Sequence, residues 1–196
     1  TVRFAAPGGS SGQRARILYQ GRGANEIRLR SGMAHNGAFL VGGIDNGRVW
    51  VRRVDGGPSR ELIGFTDVIS ELAVGPQARL VAAGAIQEEA NVRVWDLESG
   101  DVRILDIGDG ATTGYIELTG GDDLLVESGR YLQRWDLAGV TPRMLDETDL
   151  SGPEHADFLA QDLSPDGDQV LFIRHRRLWI HDLEEDTSRE LGSHGA

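Results

Sequence analysis

The 196-residue sequence contains no cysteine and no lysine. The absence of cysteine excludes disulfides and thiolate metal sites, and nothing else argues for an oxidising compartment. All 20 basic residues are arginine, and 31 acidic residues outnumber them to give a net charge of −11. Because affinity for phosphate comes largely from neutralising its charge, this balance predicts no nucleic-acid partner.

Long apolar runs are also absent from the sequence. No stretch approaches the roughly 20 apolar residues of a membrane-spanning helix, and the first residues, TVRFAAPGGSSG, lack the apolar segment of a signal peptide. We therefore expect a soluble chain, a cytoplasmic location and no membrane partner.

A repeat runs through the whole chain. Four segments with alternating apolar side chains align with one another: RVWVRRVDGGPSREL (48–62), NVRVWDLESGDVRIL (91–105), YLQRWDLAGVTPRML (131–145) and RLWIHDLEEDTSREL (177–191). A degraded fifth copy lies at 1–18, and the first apolar residues of the five copies are spaced 40 to 47 residues apart. Each copy ends in Arg-x-Leu, so the spacing predicts a hairpin repeated in fixed register.

Two further strand candidates precede each complete hairpin. Turn-forming sequences separate them, such as His35-Asn36-Gly37 and Ser164-Pro165-Asp166-Gly167, which supply the backbone angles of a tight reversal. Each unit therefore holds four antiparallel strands, a to d, and no segment shows a convincing helical stripe. The sequence predicts one all-β domain over 1–196, with strands c and d of an incomplete unit at 1–18 and complete units at 26–62, 69–105, 114–145 and 157–191.

This organisation resembles the WD-repeat β-propeller family. The resemblance rests on Trp95-Asp96 and Trp135-Asp136 at the end of strand c, on LIGFTDVISELAVGPQARLVAAGA (62–85), and on the turns within DNGRVWV (45–51) and SPDGDQVLF (164–172). Four antiparallel strands in 40 to 47 residues are typical of one propeller blade. The resemblance covers nearly the whole chain and implies a β-propeller of four-stranded antiparallel blades.

The chain departs from the family pattern in its polar residues. In the family, a histidine, a serine or threonine, an aspartate and a tryptophan form a hydrogen-bonded tetrad within a blade. Here Phe65 takes the histidine position after Gly64, and Arg52 and His181 take the tryptophan position in the first and fourth complete blades. We therefore expect no intact tetrad in those blades.

The sequence accounts for about four and a half blades. Closed propellers usually have more, and closure protects strand edges from unwanted pairing. We expect the chain to be part of a seven-bladed ring, with the remaining blades supplied by the same longer chain or by another chain.

The sequence offers few signs of catalysis. It has no Gly-x-Ser-x-Gly, His-Glu-x-x-His or Gly-x-x-x-x-Gly-Lys motif, GDGATTG (108–114) is only loosely like a nucleotide fingerprint, and its five histidines are scattered. We expect no enzymatic activity, catalytic residue, cofactor or metal ligand. A propeller hydrolase with central carboxylates or a metal stays open as a third class, on strand a candidates Glu26, Glu71, Glu117 and Asp157.

The acidic segment LDETDLSGPEHADF (145–158) is the one long predicted connection. One interpretation is a solvated loop. In the other, the d to a and b to c loops of a propeller share one face, where such domains usually take partners. The predicted partner-binding residues are Glu88, Glu89, Asp146, Glu147, Asp149, Glu154, His155 and Asp157.

These observations favour a non-catalytic protein-interaction or sensor module of a larger, bacterial, multidomain signalling protein. The expected partner is a protein or peptide, and the acidic residues suit a basic one. The alternative follows from LSPDGDQVLFIRHRRLWIHDLEEDTSREL (163–191), which also resembles Tol-type propellers and the gating propellers of prolyl oligopeptidases. That resemblance implies a propeller attached to a separate hydrolase.

Overall fold

A computed structural model gives the arrangement of the chain. It describes residues 3–4, 16–17, 30–33, 39–43, 47–53, 58–66, 68–77, 79–85, 91–108, 113–150, 158–164 and 166–193. Within these ranges every regular element is a β-strand, and every strand pairing is antiparallel.

The strands form one pair and four four-stranded sheets, each a meander in chain order. The pair is β1 (Arg3–Phe4) and β2 (Arg16–Ile17). Sheet I contains β3 (Arg30–Met33), β4 (Phe39–Gly43), β5 (Val49–Arg53) and β6 (Arg60–Leu62). Sheet II contains β7 (Ile69–Val74), β8 (Leu80–Ala85), β9 (Asn91–Asp96) and β10 (Val102–Asp106). Sheet III contains β11 (Thr113–Leu118), β12 (Asp123–Ser128), β13 (Tyr131–Asp136) and β14 (Arg143–Asp149). Sheet IV contains β15 (Phe158–Leu163), β16 (Gln169–Arg174), β17 (Arg177–Asp182) and β18 (Thr187–Ser193).

The second strand of sheet II is buried on both faces. In β8 all six residues are buried, and the neighbours Val81 and Ala82 belong to two different cores. Successive side chains of a strand point to opposite faces, so sheet II is packed between sheets I and III. This explains why LVAAGA is a continuous apolar run rather than an alternating one.

Three cores separate the sheets in sequence order. The first joins Val51 of sheet I to Trp95 of sheet II. The second joins Val94 of sheet II to Val126 of sheet III, and the third joins Leu125 of sheet III to Phe172 of sheet IV. The sheets are therefore stacked face to face, and the first strands β3, β7, β11 and β15 contact one another in turn.

A recurrent backbone hydrogen bond ties the two turns at one end of each of three sheets. The residue after the repeated aspartate donates its N–H to the carbonyl oxygen of the residue immediately before the second strand. The three bonds are Leu97 to Arg79 at 2.8 Å, Leu137 to Asp122 at 2.7 Å, and Leu183 to Asp168 at 2.8 Å. The sequence repeat thus corresponds to a repeated backbone structure.

The acidic segment begins differently from the sequence expectation. The predicted connection starts at 145, but β14 continues to Asp149, opposite Tyr131 of β13. Gln133 and Arg130 give polar partners to Glu147 and Asp149. These cross-strand contacts extend the hairpin beyond the last apolar residue of the repeat, which a search for apolar alternation does not detect.

Candidate partner-binding surfaces

The repeated aspartate acts as a cap of the turn between the third and fourth strands. The Asp96 carboxylate accepts hydrogen bonds from the N–H groups of Glu98 at 2.9 Å and Ser99 at 3.1 Å. Asp136 accepts from Ala138 N–H at 2.8 Å, and Asp182 accepts from the N–H groups of Glu184 at 3.1 Å and Glu185 at 3.0 Å. The aspartate of the Trp-Asp motif therefore stabilises a turn, as an aspartate side chain does in an Asx-turn.

Asp96 also joins sheets II and III. Its carboxylate accepts from Arg79 Nε at 3.0 Å, and Arg79 Nη2 lies 3.5 Å from Asp122 of sheet III. Burial acts to raise the pKa of Asp96, but the bonds from Ser99, Glu98 and Arg79 hold it below its ordinary value.

An aromatic contact occupies the position where the family has its polar tetrad. The rings of Phe65 and Trp95 meet edge to face, with centroids 6.1 Å apart and an interplanar angle of 69°. The Arg93 guanidinium carbon lies 5.1 Å from the Phe65 ring centre, and the buried Trp95 Nε1 has no hydrogen-bond partner. Phe65 thus supplies packing and a cation–π contact in place of a histidine hydrogen bond.

The same departure appears in sheets III and IV. Trp135 Nε1 donates to Gln133 Oε1 at 3.2 Å, not to a serine or threonine. In sheet IV the buried His181 hydrogen-bonds Ser188 Oγ through Nδ1 at 3.0 Å. Burial is the main cause that lowers the pKa of His181, which favours the neutral imidazole.

Three of the eight predicted partner-binding residues lie in the described part of the chain. Asp146, Glu147 and Asp149 are all exposed on β14. Their cross-strand partners alternate along β13, so Asp146 lies on one face of sheet III while Glu147 and Asp149 lie on the other. The other five lie outside the described residues: Glu88, Glu89, Glu154, His155 and Asp157.

Glu147 and Asp149, which share one face of sheet III, each have a polar partner nearby. Glu147 accepts from Gln133 Nε2 at 2.8 Å, and Asp149 forms an ion pair with Arg130 at 3.2 Å. Asp146 is close enough to His181 of sheet IV to act on its pKa. Asp146 therefore lies towards sheet IV, while Glu147 shares a face with Gln133, which bonds Ile107 O beside sheet II.

A basic turn at the same end of the sheets was missed by the sequence reasoning. β16 and β17 are joined by His175 and Arg176, which are exposed and have φ of 52° and 62°. Positive φ at both central residues suits a tight hairpin, although asparagine and glycine usually occupy such positions. The signal was the run Arg174-His175-Arg176-Arg177, which interrupts an otherwise acidic sequence.

Acidic side chains of the first strands influence one another. Burial, assisted by Asp162, raises the pKa of Glu117 to about 7. Burial and the charges of Glu117, Asp162 and Glu71 raise the pKa of Tyr115. Sheets II, III and IV thus bring carboxylates near one another, yet no group of three or more histidine, aspartate or glutamate side chains in the described ranges is arranged to hold a metal ion. Glu26 and Asp157 of the predicted central set lie outside those ranges.

Glu127 is a functional residue candidate that the repeat did not reveal. It is 4% exposed, and its Oε2 accepts the Ala160 N–H of sheet IV at 2.8 Å. Burial raises its pKa to about 7, Glu71 adds to the increase, and the Ala160 hydrogen bond opposes it. A titratable group therefore lies at the contact between two sheets.

No helix of the described residues has the length and apolar character needed to span a membrane.

Comparisons with known proteins bear on the fold. No protein-family model matches the sequence, and no curated protein matches it. Among solved structures, the chain is similar to the β-propeller domain of Cps50 (Swd1) from Myceliophteria thermophila, with 18% identity and a TM-score of 0.67. The match covers 90% of this chain and 59% of that chain, so this chain spans less than two thirds of the structure it resembles.

The four antiparallel sheets stacked through three cores, together with this match, confirm the sequence expectation of a divergent WD-repeat-like architecture at the level of the fold. The chain has the fold of a β-propeller built from four-stranded antiparallel blades.

Proposed function

We propose that the chain is a non-catalytic protein-interaction module that binds a basic protein or peptide. The observation that carries this proposal is the exposed acidic strand β14, which presents Asp146 on the face of sheet III towards sheet IV and Glu147 and Asp149 on the opposite face. Charged groups on a surface accelerate and orient the association of a partner with opposite charge. The propeller fold supports the proposal because it offers loops and strand ends as binding surfaces on a rigid body.

In this proposal the module belongs to a larger, bacterial, multidomain signalling protein located in the cytoplasm. The remaining blades of a seven-bladed ring come from the same longer chain or from another chain. Two features support a ring with further blades. The chain spans 59% of the propeller domain it resembles, and sheet IV has exposed aliphatic residues on the face turned away from sheet III.

The test is binding of a fluorescein-labelled oligo-arginine peptide, followed by fluorescence anisotropy at low and high salt. The double variant Asp146→Asn/Glu147→Gln removes two exposed charges and should weaken binding about tenfold at low salt, since a rim charge contributes up to about 1 kcal/mol. The effect should shrink as salt screens the interaction.

The matched control is Glu184→Gln/Glu185→Gln, which removes the same charge from the exposed turn between β17 and β18 at the opposite end of the sheets. This variant should bind the peptide as the wild type does. Equal losses in both double variants would show attraction by net charge alone, and unchanged affinity in the β14 variant would contradict the proposed surface.

A further inference from the structure

The outer strand of sheet II differs from the other outer strands. Val102 and Ile104 of β10 are 46% and 54% exposed and, being two residues apart, share one face. Of the described outer strands, β10 alone has two exposed aliphatic side chains in this arrangement. β6 carries exposed Arg60, β18 carries exposed Leu191, and the exposed Met144 and Leu145 of β14 are adjacent in sequence.

The backbone of the same two residues faces an edge of sheet II that no other described strand pairs with. β10 is at the end of the strand order of sheet II, and at its start Asp96 donates its N–H to Asp101 O at 3.0 Å. Hydrogen-bonded and non-hydrogen-bonded pairs alternate along an antiparallel ladder. The pairs Val102 with Trp95 and Ile104 with Arg93 are therefore non-hydrogen-bonded pairs, and the N–H and C=O groups of Val102 and Ile104 point away from β9.

Two arginine side chains lie on the sheet I side of this strand. On the sheet I side, Arg60 donates to Leu97 O at 3.0 Å, and its Nη2 lies 3.5 Å from the Cβ position of Gly100, two residues before Val102. Arg93 packs so closely against Gly64 that a Cβ on Gly64 would lie 2.6 Å from Arg93 Cδ.

The surface on this side of β10 is also apolar. Ile63, which precedes Gly64, is 78% exposed. Arg93 is the cross-strand partner of Ile104, and its side chain packs against Gly64, the residue after Ile63. Exposed aliphatic side chains beside arginines favour an occupant that is apolar and carries a negative charge.

We propose that the free edge of β10 binds an extended segment of a partner protein as a fifth strand of sheet II. The segment carries aliphatic side chains at alternate positions, which cover Val102, Ile104 and Ile63, and an aspartate or glutamate that reaches Arg60. Its backbone pairs with Val102 and Ile104, which provides affinity, and its alternate side chains provide specificity. This surface is separate from β14 and prefers the opposite charge.

The probes are two labelled peptides, Val-Thr-Val-Thr-Glu and Glu-Thr-Val-Thr-Val, with their lysine counterparts, measured by fluorescence anisotropy. At least one acidic peptide should bind below about 1 mM and at least about fivefold tighter than its lysine counterpart. Arg60→Gln should remove this preference. On peptide addition, hydrogen exchange should slow at the Val102 and Ile104 amides.

Ile104→Pro is the decisive variant, because it removes an edge N–H without breaking the ladder with β9. It should weaken binding at least about tenfold, while Leu191→Pro, on the outer strand of sheet IV and 44% exposed at Leu191, should not. Ile104→Glu provides a second variant if the proline disturbs folding, which circular dichroism would reveal.

Three outcomes overturn the proposal. They are the absence of saturable binding by either acidic peptide up to about 1 mM, equal binding by wild type and the Ile104 variants, and concentration-dependent dimerisation that Ile104→Pro abolishes. The last outcome would assign the edge to a second copy of this chain. None of them bears on the acidic β14 surface, because its probe and its variants are different.

Discussion

At the scale of single residues, Glu127 shows how one position of the repeat takes different roles. Glu127, Gly84 and Ile173 are equivalent, since each pairs with the second residue of the following strand. Gly84 leaves space for Thr113 of the next sheet, while Glu127 reaches the Ala160 N–H of the next sheet. The sequence alone shows an acid in an apolar strand, and only the packing shows what it binds.

Glu127 should make the stability depend on pH near neutrality. The pKa of this carboxyl is about 7 in the folded state and near 4.5 in the unfolded state. The protonated carboxyl therefore stabilises the fold fully only below pH 4.5. This contribution is lost as pH rises through the folded value. From a shift of this size we expect a loss on the order of 3 kcal/mol, seen as a melting temperature that falls from pH 5 to pH 8 by on the order of 5 °C.

Glu127→Gln can still accept the Ala160 N–H but does not titrate, so its melting temperature should vary less over this range. Glu117→Gln is the matched variant, because burial raises the pKa of Glu117 to about 7 as well. The pH dependence should be smallest in the double variant. Identical pH profiles for the wild type and Glu127→Gln would show that Glu127 is not the group that titrates.

At the scale of elements, the turn after the Trp-Asp motif is where local sequence and tertiary contact meet. The Asp96 carboxylate caps two backbone N–H groups and binds Arg79, which also reaches Asp122 of the next sheet. Asp136 occupies the same place in sheet III, where it caps Ala138 and lies 3.6 Å from the exposed Arg143. The two turns share a motif but differ in what the aspartate connects.

Asp96→Ala should therefore cost more stability than Asp136→Ala. Asp96 is 7% exposed, and removing its carboxylate takes away the acceptor that two N–H groups and Arg79 share. We therefore expect the free energy of unfolding to fall by on the order of 2 kcal/mol. Asp136→Ala should cost about 1 kcal/mol. Urea unfolding of both variants measures the difference, with Asp96→Asn as a control that can keep the turn bonds and loses the charge. Equal costs would mean that the contact with sheet III contributes little.

The elements also show which parts of the fold can be read from sequence. The alternation and the fixed spacing predicted four-stranded antiparallel units, and the fold confirms them as propeller blades. The extension of β14 was missed because polar cross-strand partners, Gln133 for Glu147 and Arg130 for Asp149, continue the ladder without apolar residues.

The candidate surfaces were less predictable than the strands. The sequence placed Asp146, Glu147 and Asp149 together in one connection, whereas their position on β14 and their division between two sheet faces follow from the register with β13. The exposed edge of β10 was not recognised from the repeat. Exposure of Val102 and Ile104 depends on how far the neighbouring sheet reaches, and this is a tertiary property.

At the scale of the whole molecule, the sheets stack in one direction and sheet IV ends the described stack. Leu125 and Leu132 of sheet III are 0% and 2% exposed because sheet IV covers them. The equivalent residues in sheet IV are Leu171 and Leu178, by their pairing with the neighbouring strand. Leu178 is 36% exposed, and Ile173 beside it is 37% exposed. The outer face of sheet IV therefore has the apolar pattern of an internal blade surface, and no other described sheet covers it.

We expect this 196-residue chain to associate with itself when no further blade covers sheet IV, because exposed apolar patches drive association. Ile173→Lys with Leu178→Glu should lower the weight-average mass measured by sedimentation equilibrium. Met144→Lys, at a site 45% exposed on β14, should leave that mass unchanged. A wild-type chain that stays monomeric across the concentration range would contradict the requirement for additional blades. If Met144→Lys also lowered the mass, the association would depend on general surface charge. Of the three substituted residues, only Ile173 and Leu178 lie where the next blade of a propeller packs.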